Sequence, residues 1–100
     1  MAAVLVTPTA QRDLETLIRT QSLPPTTRER VRRSIQPLER FPRIGASLRG
    51  RWADFRFLLG PWRWMIIVYH YDEERDRVSI VTIQDGRSAR AATSSAQSDG

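Results

Sequence analysis

Large apolar side chains change their spacing along this 100-residue sequence, and the change falls at Phe41-Pro42. Before it, Ala10, Leu14, Leu17 and Ile18 recur at helical intervals, and so do Val31, Ile35 and Leu38. Each set makes one apolar stripe on a helix. After it come short runs rich in aromatic and β-branched residues, Phe55 to Leu59, Arg63 to Tyr71 and Arg77 to Gln84. Such runs are strand-forming. A chain of this pattern has to lay two amphipathic helices on a sheet, because neither layer can cover its own apolar face.

The residues between these segments mark the boundaries. Ala3 to Val6 reads as a short strand. Thr7 suits a helix N-cap and Pro8 the first helical position, where a missing N–H costs no bond. The first helix should run from Pro8 to about Gln21, with Asp13 complementing its dipole. Leu23-Pro24-Pro25 breaks it, and Thr26 or Thr27 can cap the second helix. Pro37 calls for a bend or an early end to that helix, and Phe41-Pro42 stops it in any case. Gly45 and Gly50 mark a loop from 43 to 52 with at most a short extended piece. Gly60-Pro61 turns the chain, and the charged segment 72–76 forms a hairpin loop, giving an antiparallel meander. The expected fold class is α+β: an N-terminal strand and a two-helix hairpin on a mainly antiparallel four-stranded sheet.

One hundred residues make one domain, taken as 1–90. The last ten, 91–100, hold no large apolar side chain and are expected to be disordered. The absence of cysteine excludes disulfides and cysteine-bound zinc. His70 is the single histidine, and a metal site would have to be built from carboxylates around it; the acidic residues that follow read as a hairpin loop, so no metal and no cofactor are expected. The apolar start, Met1 to Val6, ends at Thr7-Pro8 without a basic leader, and no stretch approaches the length of a membrane span. A cytoplasmic protein without membrane contact is the expectation.

Sixteen arginines and no lysine carry the net charge of +5. GC-rich codon usage accounts for such a split as readily as function does, so placement matters more than number. Ten arginines lie between Arg28 and Arg63, opposed there only by Glu29, Glu39 and Asp54. That excess of seven exceeds the net charge of the whole chain. A basic face toward an anionic partner follows. The run Arg28, Arg30, Arg32 and Arg33 can equally be a solvated helix face. Trp52, Trp62 and Trp64 could stack on bases, although core or partner contacts are commoner uses.

The order β-α-α-β-β-β carries a set of local sequences. These are Thr7-Pro8-Thr9-Ala10-Gln11-Arg12-Asp13-Leu14, Leu38-Glu39-Arg40-Phe41-Pro42-Arg43-Ile44-Gly45, Leu48-Arg49-Gly50, Phe55-Arg56, Gly60-Pro61-Trp62-Arg63, and Ile80 to Arg87. In order and spacing they resemble the RelE/ParE superfamily of toxins of type II toxin–antitoxin systems, over roughly residues 4 to 90. The resemblance implies a cognate antitoxin as partner, a toxin–antitoxin hetero-oligomer, and, on the RelE side, a ribosome-dependent mRNA endonuclease. In that chemistry the 2′-hydroxyl attacks the adjacent phosphorus without a metal, and fixed cations stabilise the added charge. By position the resemblance assigns Arg56, Arg63 and Arg87 as catalytic, with Arg49, Arg51 and Arg90 as RNA contacts. Alternation sets Arg56 opposite Phe55, Phe57 and Leu59, so the arginine face is expected to carry the site and the aromatic face to pack on the helices.

The sequence departs from the ribonuclease pattern at informative points. Leu58 stands where cleaving relatives often have a second lysine, Ile66 where tyrosine is common, and no Tyr or His follows Arg87. Arginine is a poor general base at neutral pH, which leaves Asp54, His70 and Asp85 as candidates. Two alternatives therefore stand beside the nuclease: a ParE-type inhibitor of DNA gyrase, which needs no base, and a degenerate antitoxin-binding co-repressor. The short helix hairpin and Leu48-Arg49-Gly50 lean toward the RelE side.

Overall fold

A computed structural model describes residues 1–87. Strand β1 (Ala3–Val6) leads into helix α1 (Pro8–Thr20), and α2 (Thr27–Ile35) follows. Thr7 ends β1 and starts α1 with one hydroxyl. Its oxygen accepts the Ala10 N–H at 3.2 Å and donates to the Ile80 carbonyl at 2.8 Å. A cap of this kind is worth about 1 kcal/mol, and here it also fixes the helix start to the sheet. The second helix has no side-chain cap. Thr27 is fully buried and donates to the Pro24 carbonyl at 2.6 Å instead. Pro37 ends α2 early, as its chemistry requires: Gln36–Glu39 form a 3₁₀ turn, and the Pro37 carbonyl accepts from the Arg40 and Phe41 amides.

Strands β2 (Ala46–Ser47), β3 (Phe55–Leu59), β4 (Met65–Asp72) and β5 (Arg77–Asp85) complete the chain. The sheet order is β1-β5-β4-β3-β2, with β1 parallel to β5 and the other pairs antiparallel. It has five strands where the sequence suggested four. The extra one is the two-residue β2, set opposite Arg56 and Phe57 inside the expected loop.

The core lies between the helices and one face of the sheet. Leu14, Leu17, Val31, Ile35 and Leu38 meet Met65, Ile67 and Tyr69 of β4 and Val78, Ile80 and Ile83 of β5. Ile80 and Ile83 are three apart, so strict alternation would send them to opposite faces. A bulge resolves this. Tyr69 pairs with Ile80 but Val68 with Thr82, which leaves Val81 as an extra residue in β5. Asp13 of α1 serves the irregular stretch: one carboxylate oxygen accepts the Thr82 hydroxyl at 2.5 Å and the Ile83 N–H at 3.2 Å. Asp13 lies beyond the first turn. It ties α1 to β5, in place of the helix-dipole role expected of it.

Candidate functional site

Two glycines are required here, for different reasons. Gly50 has φ +65°, the left-handed region that a side chain disfavours. Gly45 is held by close contact instead. A Cβ there would lie 2.6 Å from the Phe57 carbonyl oxygen and 2.7 Å from the Tyr69 hydroxyl. The Gly45 N–H donates to that hydroxyl at 2.9 Å, and its carbonyl accepts from the Arg56 guanidinium at 2.9 Å. Arg56 also donates to the Arg43 carbonyl at 3.2 Å. Burial pushes the Tyr69 phenol above its ordinary range, while the Gly45 N–H and the Arg56 charge act against it.

These contacts reverse the expected assignment of faces on β3. Arg56 pairs with Tyr69, which is fully buried. Paired residues share a face, so Arg56 points to the helix side, and Leu58 packs against the core on that side as well. Phe55 and Phe57 point the other way. With Leu48, Trp52, Ile66, Val68 and Val81 they line a concavity of about 660 Å³ on the outer face of the sheet. Trp52, 56% exposed, stands at the rim with its ring 5.9 Å from Phe55. The polar members of the lining are Thr82 and Gln84.

Arg63 and Arg87 sit elsewhere. Trp62 and Trp64 stack at 6.0 Å and 20°, with Arg30 of α2 5.7 Å from the first ring and Arg87 4.6 Å from the second. Arg87 is held further by Asp85, at 3.0 and 2.9 Å, and by Gln21 at 3.1 Å. The Asp85 hydrogen bond raises the Arg87 pKa above its ordinary value. Arg63 lies in the turn between the two tryptophans, exposed and without an ion pair among the described residues. Met65, next to Trp64, opens β4 and precedes Tyr69 by four residues along it, roughly 13 Å at strand rise. The structure therefore brings Arg63 and Arg87 to one end of the sheet and leaves Arg56 at the other, beneath the Gly45 loop.

The remaining candidates are placed as follows. Arg49 and Arg51 are exposed on the β2–β3 connection. Arg90 lies outside the described residues, as does the segment 91–100. Asp85 is engaged by Arg87, His70 lies 5.6 Å from the Phe55 ring, and Asp54 is exposed in a turn. On α2, Arg28 forms a two-pronged pair with Glu15 of α1 at 2.6 and 2.5 Å, and Arg32 and Arg33 reach Glu29 at 3.6 and 3.7 Å. No group of three or more metal-ligating side chains occurs among the described residues. None of the described helices is long and apolar enough to cross a membrane. The sequence reading missed the apolar outer concavity and the arginine–tryptophan stack. Trp62 and Trp64, two residues apart in the turn that leads into β4, were the available signal for the stack.

Comparison with known proteins places this geometry. Residues 4–90 match the family described as the ParE toxin of the type II toxin–antitoxin system parDE. A chain in the crystal structure of the RelBE2 toxin–antitoxin complex from Mycobacterium tuberculosis is similar at 28% identity and a TM-score of 0.62, over 84% of this chain and 96% of that one. The solution structure of the conserved hypothetical protein HP0892 from Helicobacter pylori has the same fold at 15% identity and a TM-score of 0.58, over 85% and 94% of the two chains. HP0894 from the same organism shares it at 16% identity and a TM-score of 0.52, over 83% and 92%. No curated protein matches the sequence.

Proposed function

The chain belongs to the ParE toxin family of type II toxin–antitoxin systems, and from that premise we propose that it arrests growth by holding a protein target, DNA gyrase, rather than by cutting RNA. The observation behind this reading is the chemistry of the outer concavity. Its walls are aromatic and aliphatic, and an apolar wall gives no stabilisation to charge building on a phosphate. It does gain from covering apolar protein surface, at about 25 cal/mol per Å². Arg56 is bound to two carbonyls on the far side of the sheet and Arg87 is neutralised by Asp85. Neither is free to follow a phosphodiester. An antitoxin held in a hetero-oligomer in the cytoplasm keeps the toxin silent on this reading.

The second reading, a ribosome-dependent mRNA endonuclease, draws on Arg63. It is exposed and close in the fold to Arg87, and the similarity to a chain of the RelBE2 complex points the same way. Under that reading Arg63 and Arg87 act on the phosphate, and Arg49, Arg51 and Arg90 guide the RNA. One pair of assays separates the two. Gyrase-linked DNA breaks in expressing cells, with mRNA intact in a translating extract, are expected. Cleaved mRNA that becomes intact with Arg63→Ala and Arg87→Ala would replace the gyrase reading by the nuclease.

A further inference from the structure

The fold does not treat its three tryptophans alike. Trp62 and Trp64 pack against the core, and each carries a guanidinium over its ring. Trp52 has no such cover among the described residues and is 56% exposed. It is nonetheless held in place. Gly50–Trp52 form a 3₁₀ turn, opened by the left-handed Gly50. The Trp52 N–H donates to the Arg49 carbonyl at 3.2 Å, and the Ala53 N–H to the Gly50 carbonyl at 3.1 Å. The indole tilts by 59° against Phe55, whose own ring lies 5.6 Å from His70 at 57°. An exposed aromatic fixed at both backbone and ring loses little freedom when it is covered.

Charge around Trp52 narrows what can cover it. Arg49 and Arg51 flank it, exposed and without an ion pair among the described residues. Asp54 is the sole carboxylate between residues 46 and 59. An aromatic ring set among arginines beside an apolar hollow has the composition of an interface centre. A second copy of this chain is a poor match, because at +5 each it would bring arginine against arginine. A nucleobase stacked on Trp52 would leave Leu48, Ile66 and Val68 of the concavity uncovered. A protein surface with apolar side chains, and carboxylates at its margin, meets both the ring and the hollow.

We propose that Trp52 is the anchor of the target contact, seated in an apolar pocket of the target protein whose rim carries carboxylates to meet Arg49 and Arg51. The assignment rests on the gyrase reading above and adds to it the residue that carries the contact and the chemistry of the surface it meets. Leu59 supplies the internal control. It is 51% exposed and paired with Ile66, so it lies on the same face of the sheet, but it does not line the concavity.

Binding of purified gyrase to the immobilised full chain, measured by biolayer interferometry, tests the assignment. Trp52→Ala should weaken binding about thirty-fold, and Trp52→Phe should lose less. Leu59→Ala should change it by no more than about three-fold. Arg49→Glu combined with Arg51→Glu should slow association and flatten its dependence on salt. Thermal unfolding of Trp52→Ala should match the native chain, which separates a lost contact from a damaged fold. Unchanged gyrase affinity in Trp52→Ala, equal losses in Trp52→Ala and Leu59→Ala, or a loss confined to antitoxin or RNA binding overturns the assignment and leaves the gyrase reading in place. If the native chain binds no gyrase at all, that reading falls and the assignment with it.

Discussion

Gly45→Ala is the most informative single change in the fold. The added methyl would sit 2.6 Å from the Phe57 carbonyl oxygen and 2.7 Å from the Tyr69 hydroxyl. A carbon needs more than 3 Å from each, so something has to move by about half an ångström. The Tyr69 ring is fully buried, and the Phe57 carbonyl belongs to a strand paired on both sides. Neither neighbour yields easily in a close-packed interior. Overpacking of this kind costs about 1–3 kcal/mol. Loss of the Gly45 N–H bond to Tyr69 adds roughly 1 kcal/mol, for a total of about 3 kcal/mol. Against a whole-domain stability on the order of 5–15 kcal/mol that is a severe loss, and it should lower Tm by about 12–24 °C. Urea and thermal unfolding followed by circular dichroism measure it. Tyr69→Phe removes the clash with the hydroxyl but leaves those with the ring carbon, at 2.8 Å, and with the backbone carbonyl, so it should not rescue Gly45→Ala. A loss below about 1 kcal/mol, or full rescue by Tyr69→Phe, would refute the claim that close approach, and not chain flexibility, demands this glycine.

Two further changes test how the helices are held. Asp13→Ala strips the acceptor from the Thr82 hydroxyl and the Ile83 N–H at the β5 bulge, and should cost about 1–3 kcal/mol in urea unfolding; Asp13→Asn, which keeps an oxygen acceptor, should lose less. Glu15 is held below its usual carboxylate range by the hydrogen bond from Arg28. Its folded pKa is depressed, so its contribution is present above the unfolded value and lost as pH falls through the folded one. The stability gap between the native chain and Glu15→Gln should therefore be largest near neutral pH and close in acid. Denaturation midpoints from pH 7 down to pH 3 check the sign.

Much of this architecture could be read from the residues. Thr7-Pro8 set the start of α1, Pro37 ended α2, and the aromatic and β-branched runs marked β3, β4 and β5. Alternation on β3 was also legible, but the side that faces the core was not. Phe55 and Phe57 are the bulkiest residues of that strand, and bulk suggests burial, yet both line the outer concavity. The sign lay in Leu58, an apolar residue on the arginine side. The bulge at Val81 was hidden for a related reason: Val78, Ile80, Val81 and Ile83 are all apolar, so the sequence shows no break in period. The candidate site suffered most. Positional matching put Arg56, Arg63 and Arg87 in one group, but the matching carries no information on which carbonyls and carboxylates will claim each guanidinium.

The sheet is closed by its first and last strands, with Ala3–Val6 lying parallel to Arg77–Ile80. Contacts so distant in sequence form only after nearly everything between them exists. During translation the helical hairpin emerges early, but the floor it rests on stays incomplete until β5 joins β4. A prematurely terminated copy therefore lacks the strand that both helices and β1 depend on. For a poison made inside the cell it harms, this is a safeguard written into topology: fragments should be harmless, and toxicity should arrive only with the finished polypeptide.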